Sequence, residues 1–194
     1  TTYSGVMSGS GSLVKSGSGM LTLSGVNTFG GPTSVNDGTL ALSGSGRLAS
    51  TGITIANLAT MSVASGAAVP TTAALTVDGT LTLSASAVEL LTLDGASTGA
   101  VTLNGTALKV SDGNYAGVVA KGTGTGSLVK VSSGTLTLSG VNTFEGPTSV
   151  NDGTLALSGS GRLASTGITV VSGATMSVGE LAAVPVGAAV TVDG

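Results

Sequence analysis

The sequence of 194 residues contains no cysteine, no histidine and no tryptophan. Without cysteine there are no disulfides, thiolate metal sites or cysteine nucleophile, so stability has to come from packing and backbone hydrogen bonds. The absence of histidine removes the commonest general base and metal ligand. No catalytic, cofactor-binding or metal-ligating residue is predicted, and we expect a protein that is not an enzyme and needs no cofactor.

Charged residues are scarce too. They make up 8% of the chain, against about a quarter of an ordinary soluble protein. The net charge is −3 and the basic residues are not clustered, which gives no electrostatic case for nucleic acid or an anionic membrane. The most apolar stretch, 181–192, contains Pro185 and Gly187 and is shorter than the roughly 20 residues that span a bilayer. We expect neither nucleic-acid binding nor membrane insertion of this segment.

Large core-filling side chains are few as well. Aromatic residues make up 2% of the chain and are Tyr3, Tyr115, Phe29 and Phe144. Glycine supplies 33 positions, and much of the rest is Leu, Val, Ile and Ala mixed with Ser and Thr. This composition favours narrow, strand-rich layers over a wide globular centre.

A long internal repeat dominates the sequence. Residues 21–54 recur at 136–169, 115 positions later, and Gly30 against Glu145 is the one difference. Repetition of this kind is typical of solenoids, in which each structural unit stacks on the next. We therefore expect a single continuous β-solenoid over 1–194, with a first unit at 1–112 and a partial second unit at 113–194.

Short apolar-polar-apolar triplets divide the long unit further. One series starts at Leu13, Thr33, Ile53, Leu75, Leu91, Leu108, Leu128, Thr148, Ile168 and Val190. A second starts at Leu21, Leu40, Met61, Leu81, Val101, Val118, Leu136, Leu155 and Met176. The triplets indicate strands because alternate side chains point to opposite sides, and Gly- and Asn-rich turns separate them.

The spacing of the triplets sets the size of a coil. Six steps of the first series fill the 115-residue unit, so the mean step is about 19 residues. The sequence therefore predicts an all-β fold, a parallel β-solenoid with about 19–20 residues per coil and roughly ten coils.

Alternation along the triplets also assigns the core. We expect these side chains to point inward or fill a corner: Leu21, Leu23, Leu40, Leu42, Ile53, Ile55, Leu81, Leu83, Phe29 and Phe144. In the coil 39–58, Leu48 and Leu58 are expected inward as well. Residues 85–91, with the sequence ASAVELL, are the exception and favour one helical turn.

The polar residues of the repeat fit structural roles. All six aspartates directly precede a glycine, which is typical of turn residues. Asn27 and Asn142 are expected to stack inside a corner of the solenoid. Lys15 and Lys130 end equivalent strands and are expected to be solvated.

An outward row of hydroxyl groups offers a different hypothesis. Its members are Thr80, Thr82, Ser84, Thr135, Thr137 and Ser139. Stacked on Ser62 and Thr102, they would form the flat ladder that ice-binding solenoids use. Threonine also simply favours strands, and Ala41 and Ala156 interrupt the row, so ice binding is the least favoured hypothesis.

Three consecutive motifs carry a family resemblance. They are G-S-L-x-K, G-x-L-T-L-S-G-x-N-T-F and G-P-T-S-V-N-D-G-T-L-x-L, found at 11–15, 19–29 and 31–42 and again at 126–130, 134–144 and 146–157. Together they resemble the autotransporter-associated β-strand repeat of bacterial surface passengers. The match is weak over 56–112, and Pro32 and Pro147 stand where that family more often has Gly or Thr.

The resemblance implies a right-handed parallel β-helix outside the cell. It also implies a part in helping passenger proteins fold and emerge across the outer membrane, and it brings no catalytic residues. An extracellular or bacterial cell-surface location is therefore expected. The near-identity of the two copies indicates a tandem array.

Three functional hypotheses are open at this point. The first is a non-enzymatic stalk, spacer or passenger segment of a surface protein. The second is a fibre, because the chain stops at Val192-Asp193-Gly194 where the first copy continues with Thr80, leaving an edge for neighbouring repeats or another copy. The third is a carbohydrate- or surface-binding adhesin module, with a glycan as partner.

Overall fold

Twenty short strands, paired in parallel, make up the architecture. The structure is a computed structural model, and it describes residues 1–193 as an all-β solenoid of about ten turns. The last residue, Gly194, which closes the predicted solenoid, lies outside the described residues. Within residues 1–193 no helix is long and apolar enough to cross a membrane. The all-β solenoid predicted from the sequence is confirmed.

The strands are numbered in chain order. Those of the first half are β1 (Thr2–Tyr3), β2 (Leu13–Lys15), β3 (Met20–Leu23), β4 (Thr33–Val35), β5 (Thr39–Leu42), β6 (Gly52–Ile55), β7 (Thr60–Val63), β8 (Ala74–Val77), β9 (Thr80–Leu83) and β10 (Ala87–Asp94). Those of the second half are β11 (Ala100–Leu103), β12 (Ala107–Tyr115), β13 (Val118–Ala120), β14 (Ser127–Lys130), β15 (Thr135–Leu138), β16 (Thr148–Val150), β17 (Thr154–Leu157), β18 (Gly167–Val170), β19 (Thr175–Val178) and β20 (Ala189–Val192).

Each turn of the chain passes over three faces, which we call face 1, face 2 and face 3 in chain order. Face 1 is the seven-stranded sheet β1-β3-β5-β7-β9-β11-β13. Its Cα partners run Leu21, Leu40, Met61, Leu81, Val101 and Val119, in steps of 19, 21, 20, 20 and 18 residues. The steps stay close to 20 because every residue added to a coil has to be absorbed at a corner, where the strand pairing is interrupted.

Face 3 carries a second continuous column of parallel strands. It runs through β2, β4, β6 and β8, then through the second halves of the long strands β10 and β12, and on through β15, β17 and β19. Face 2 begins with single bridging residues, Val26, Arg47 and Ala68. From the first half of β10 onward it is a regular ladder that continues through β12, β14, β16, β18 and β20.

A thin aliphatic column fills the space between the three faces. In strands such as Thr39–Leu42 the side chains alternate between buried leucine and half-exposed threonine or alanine. Of the residues expected in the core, nine are buried: Leu23, Leu40, Leu42, Ile53, Ile55, Leu81, Leu83, Phe29 and Phe144. Leu21 is half-buried against the core, because only the two-residue strand β1 lies beyond it.

Three details of the sequence interpretation are wrong. Residues 85–91 form no helical turn, because β10 crosses them and pairs with Ala107–Val110 of β12. Leu58 points outward at 90% exposure and has φ +68°, so it is a turn residue. In the triplet series, Leu91 and Val118 are each out of register, since Leu93 pairs with Leu75 and Val119 with Val101.

The two copies of the repeat lie on different faces of the solenoid. The segment LTL is on face 1 at 21–23 but on face 3 at 136–138, where it pairs with β12. The segment TSV is on face 3 at 33–35 but on face 2 at 148–150, where it pairs with β14. The second copy is therefore turned by one face about the solenoid axis relative to the first.

This rotation corrects the length of the coil. Counted face by face, 115 residues cover five and two-thirds turns rather than six, which gives about 20 residues per turn. The long strands β10 and β12 absorb the change, because each runs from face 2 onto face 3 without a broken corner. The short steps of 16 and 17 residues in the first triplet series arise where that series passes from face 3 to face 2.

Candidate functional site

The repeat places a buried asparagine at one corner, bonded to three successive turns. The Asn27 side chain accepts a hydrogen bond from the Met7 backbone N–H at 3.1 Å. Its amide group donates to the carbonyl oxygens of Gly25 and Arg47, both at 3.0 Å. Because these partners come from the turn before, its own turn and the turn after, one side chain satisfies the backbone where the strand ladder is interrupted.

Asn142 makes the same set of contacts on another face. It accepts from the Val119 N–H at 2.9 Å and donates to Gly140 and Arg162 at 3.0 and 2.9 Å. Asn27 belongs to face 2 and Asn142 to face 1, yet both are 2% exposed. The clamp is therefore a property of the motif itself, whichever face the motif occupies.

A buried lysine forms the second clamp of the repeat. Lys130 is fully buried, and its Nζ donates to the carbonyls of Val131, Ser132 and Asp152 at 2.7, 2.6 and 3.2 Å. Three N–H groups thus meet three acceptors, which is the full donor capacity of an ammonium. The Ser132 backbone has φ +63°, and the ammonium binds its carbonyl and so stabilises this sparsely populated turn.

Lys15 repeats the arrangement in the first copy. Its Nζ donates to Ser16, Gly17 and Asp37 at 3.2, 2.6 and 2.9 Å. The expectation that both lysines are solvated is therefore wrong. A lysine at the end of a strand is ordinarily exposed, but here the corner supplies enough carbonyls to replace its water shell. Burial lowers the pKa of the Lys130 ammonium, and the Asp152 and Asp112 carboxylates act against that shift.

Other buried polar groups were not predicted from the sequence. Thr33 and Ser50 share a buried hydrogen bond of 2.7 Å between their hydroxyl oxygens, and Thr148 and Ser165 share the same bond in the second copy. A Thr or Ser at an inward position of the period-two pattern is the signal that could have revealed these pairs.

Tyr115 is a further buried residue that the core prediction omitted. It is fully buried on face 3, and its hydroxyl has no hydrogen-bond partner among the described residues. Burial, helped by the charge of Asp78, raises the pKa of this phenol. Gly95, Gly99 and Gly117 leave room for the ring, since a Cβ at Gly117 would lie 2.6 Å from the Tyr115 hydroxyl.

The predicted row of hydroxyls is divided between two faces. Thr80, Thr82 and Ser84 are on face 1, where Thr82 is in register with Ser62 and Thr102. Thr135, Thr137 and Ser139 belong to face 3, where Thr137 is in register with Asn114 and Ala156. The face 1 row is broken by Ala41 and Ala120. The six residues therefore do not form one surface.

The carboxylates serve the turns of the backbone. Asp37 and Asp152 each accept a hydrogen bond at 2.7 Å from the glycine that follows them. Asp78 and Asp94 accept from the N–H groups of Ala96 and Asn114 in the next turn, both at 2.8 Å. Within residues 1–193 no three His, Cys, Asp or Glu side chains come close enough to hold a metal ion.

Stacked coils held by repeated internal clamps define a repeat-built β-solenoid. Two segments of the chain, 13–42 and 128–157, match the passenger-associated-transport-repeat family. They coincide with the segments that carry the sequence resemblance. The chain therefore carries two autotransporter passenger repeats, and the assignment made from the sequence is confirmed.

A known protein shows the same similarity over a longer stretch. The chain is 34% identical over 157 residues to a protein of Brucella suis biovar 1 (strain 1330) named adhesin BmaC autotransporter. The alignment covers 79% of this chain but 4% of that relative, so the chain corresponds to a small part of its length. No solved structure matches the chain. These similarities support a passenger-type protein of the bacterial surface.

The lysine clamp leads to a prediction about stability. Lys130→Met should destabilise the fold by about 2 kcal/mol or more, because the apolar side chain leaves three backbone carbonyls without their donor. Lys121→Met is the matched control. Lys121 is half-exposed and pairs with Glu145 at 2.8 Å, so its loss should cost less than about 1 kcal/mol. Urea denaturation followed by circular dichroism measures both variants.

The same pair of variants tests the pKa shift. Since the folded pKa of Lys130 is lowered, the folded chain releases this proton at lower pH than the unfolded chain, whose ordinary value is 10.5. The wild type should therefore gain stability relative to Lys130→Met as the pH rises from the folded pKa towards 10.5. Equal losses for the two variants, or a difference that changes in the opposite direction with pH, would contradict the clamp.

Proposed function

We propose that this chain is a non-enzymatic structural segment of a bacterial surface protein and that it acts outside the cell as a stalk or spacer. The observation that carries the proposal is the pair of passenger repeats built into one uninterrupted parallel solenoid. Asparagine and lysine clamps recur in both copies, so the repeat encodes a uniform rod. A rod of this kind holds whatever it carries at a fixed distance from its anchor.

The non-enzymatic part of the proposal rests on how the acidic side chains are used. Four of the aspartates accept hydrogen bonds from backbone N–H groups at turns. Glu89 and Glu145 contact the ammonium groups of Lys109 and Lys121. Groups committed to turns and surface ion pairs are poorly placed for general acid or base work, which needs a carboxylate aimed at a substrate.

The length of the rod can be tested by energy transfer on cells. The chain is fused between a secretion signal and an outer-membrane anchor at its C-terminal side, and a dye is attached to Ser8→Cys or Thr191→Cys, which are unique thiols in a cysteine-free chain. About ten turns separated by about 4.8 Å place the two positions roughly 45 Å apart. Transfer to a lipid dye should be strong from position 191 and weak from position 8.

Matched variants separate folding from display. Leu81 is fully buried, and Thr82 is its half-exposed neighbour on the same strand. Leu81→Asp buries an unpaired charge and should abolish the distance difference and the protease resistance of the displayed segment, whereas Thr82→Asp should keep both. Equal transfer from positions 8 and 191 in the wild type, or an unaffected Leu81→Asp, would overturn the spacer role.

We further propose that solenoid coils stack on the open edge of β20. All four residues of this strand are exposed, and β18 is its one strand partner within residues 1–193. Val190 and Val192 on this edge are apolar and accessible, which suits a further coil from a neighbouring repeat or from another copy. Electron microscopy of the purified chain should show uniform filaments in which rods join end to end, and isolated short rods would contradict stacking between copies.

A further inference from the structure

We propose that a groove on face 2 binds the carboxylate group of an acidic sugar. The groove has a volume of about 290 Å³ and is lined by Arg47, Val69, Thr71, Val88, Glu89 and Lys109, together with two alanines. Small-molecule sites usually measure about 300 to 1,000 Å³, so this one suits a single sugar ring. The proposal is independent of the spacer role, because a rod with or without the groove has the same length.

The groove lies where face 2 changes its construction. Up to Ala68 this face consists of single bridging residues, and from Ala87 it is a regular strand ladder. The segment between Ala68 and β8 therefore lies against a strand that its own turn does not match, and an open space is left between them. The irregularity that accommodates the rotation of the repeat thus also forms a concave surface on an otherwise flat rod.

Basic side chains converge on this groove in a chain that has only six of them. Lys15 and Lys130 are buried clamps, and Lys121 is bound to Glu145. Of the remaining three, Arg47 and Lys109 both line the groove. Two of the three cations that are neither clamps nor close ion pairs are therefore directed to one small site.

Arg47 is held in place and is available to a ligand. Its backbone N–H donates to Gly25 at 3.1 Å, and its carbonyl accepts two hydrogen bonds from Asn27, both at 3.0 Å. The side chain is exposed, and within residues 1–193 it takes part in no ion pair. Fixing the backbone in advance lowers the entropy that binding has to remove.

The groove offers the contacts that a sugar acid needs. A guanidinium group can bind a carboxylate through two parallel hydrogen bonds. Lys109 lies 3.9 Å from Glu89 and is about half exposed, so it can add a second positive charge. The Glu89 carboxylate and the Thr71 hydroxyl can bind ring hydroxyls, while Val69 and Val88 present an apolar surface to the C–H groups of the ring.

The second copy of the repeat supplies a matched control. Arg162 is the same residue of the repeat as Arg47, and its carbonyl likewise accepts from the clamp asparagine Asn142. Because the copy is turned by one face, Arg162 lies between Val141 and Ala183 on face 1, away from Glu89 and Lys109. Substituting either arginine removes the same side chain from the same local backbone, but only one of the two changes the groove.

The test is a titration of the protein with methyl β-D-glucuronide, followed by amide chemical shifts in NMR spectra. We expect saturable shifts at groove residues, a dissociation constant raised about tenfold or more by Arg47→Ala, and no change with Arg162→Ala. Methyl β-D-glucoside, which lacks the carboxylate, should bind far more weakly. Acetate and inorganic phosphate, which lack the ring, should also bind more weakly.

Several results would overturn the proposal. They are the absence of saturable shifts with the glucuronide, an equal effect of the two arginine substitutions, or acetate binding as tightly as the glucuronide. Both arginine side chains are exposed, so circular dichroism should show that each variant folds like the wild type, and a loss of binding then reports on the groove. None of these outcomes bears on the spacer role, which the cell-surface distances test.

Discussion

The constraint on which the whole structure depends is the parallel pairing of each residue with one about 20 positions away. On face 1 the backbone N–H groups of Ser43, Ala64 and Ser84 donate to carbonyls of the preceding turn at 3.1, 3.0 and 2.9 Å. With few aromatic side chains to bury, stability comes from these ladders and from a thin aliphatic column. A coil gains these contacts only from its neighbours, so the repeat is a consequence of the fold's energetics.

Corners are the weak points of such a ladder, and the repeat answers them with buried polar side chains. Asn27 and Asn142 bridge three turns each, and Lys15 and Lys130 fill rings of carbonyl oxygens. Because each clamp travels with its motif, the motif can occupy any of the three faces. A tandem array would therefore present the same side chains on a different side of the rod at each repeat.

Much of this could be predicted from the sequence, and the failures share one cause. Period-two alternation located the strands and the inward leucines, because it reports the geometry of a single strand. It could not show that Leu93 rather than Leu91 continues the column of Leu75, since both are leucines two residues apart. Nor could it show that Lys130 is buried, because burial depends on carbonyls from the next turn, 22 residues away. The groove at Arg47 was missed for the same reason, as Lys109 lies three turns further along the solenoid.

The pairing itself can be measured through hydrogen-bond scalar couplings in an isotope-labelled sample. The structure predicts a coupling between the amide nitrogen of Ser84 and the carbonyl carbon of Val63, and another between Ala64 and Leu42. It also predicts couplings from Ser139 to Tyr115 and from Thr143 to Val119, which record the rotation of the second copy. Couplings to residues a few positions away, as in antiparallel hairpins, would contradict the stacked parallel solenoid.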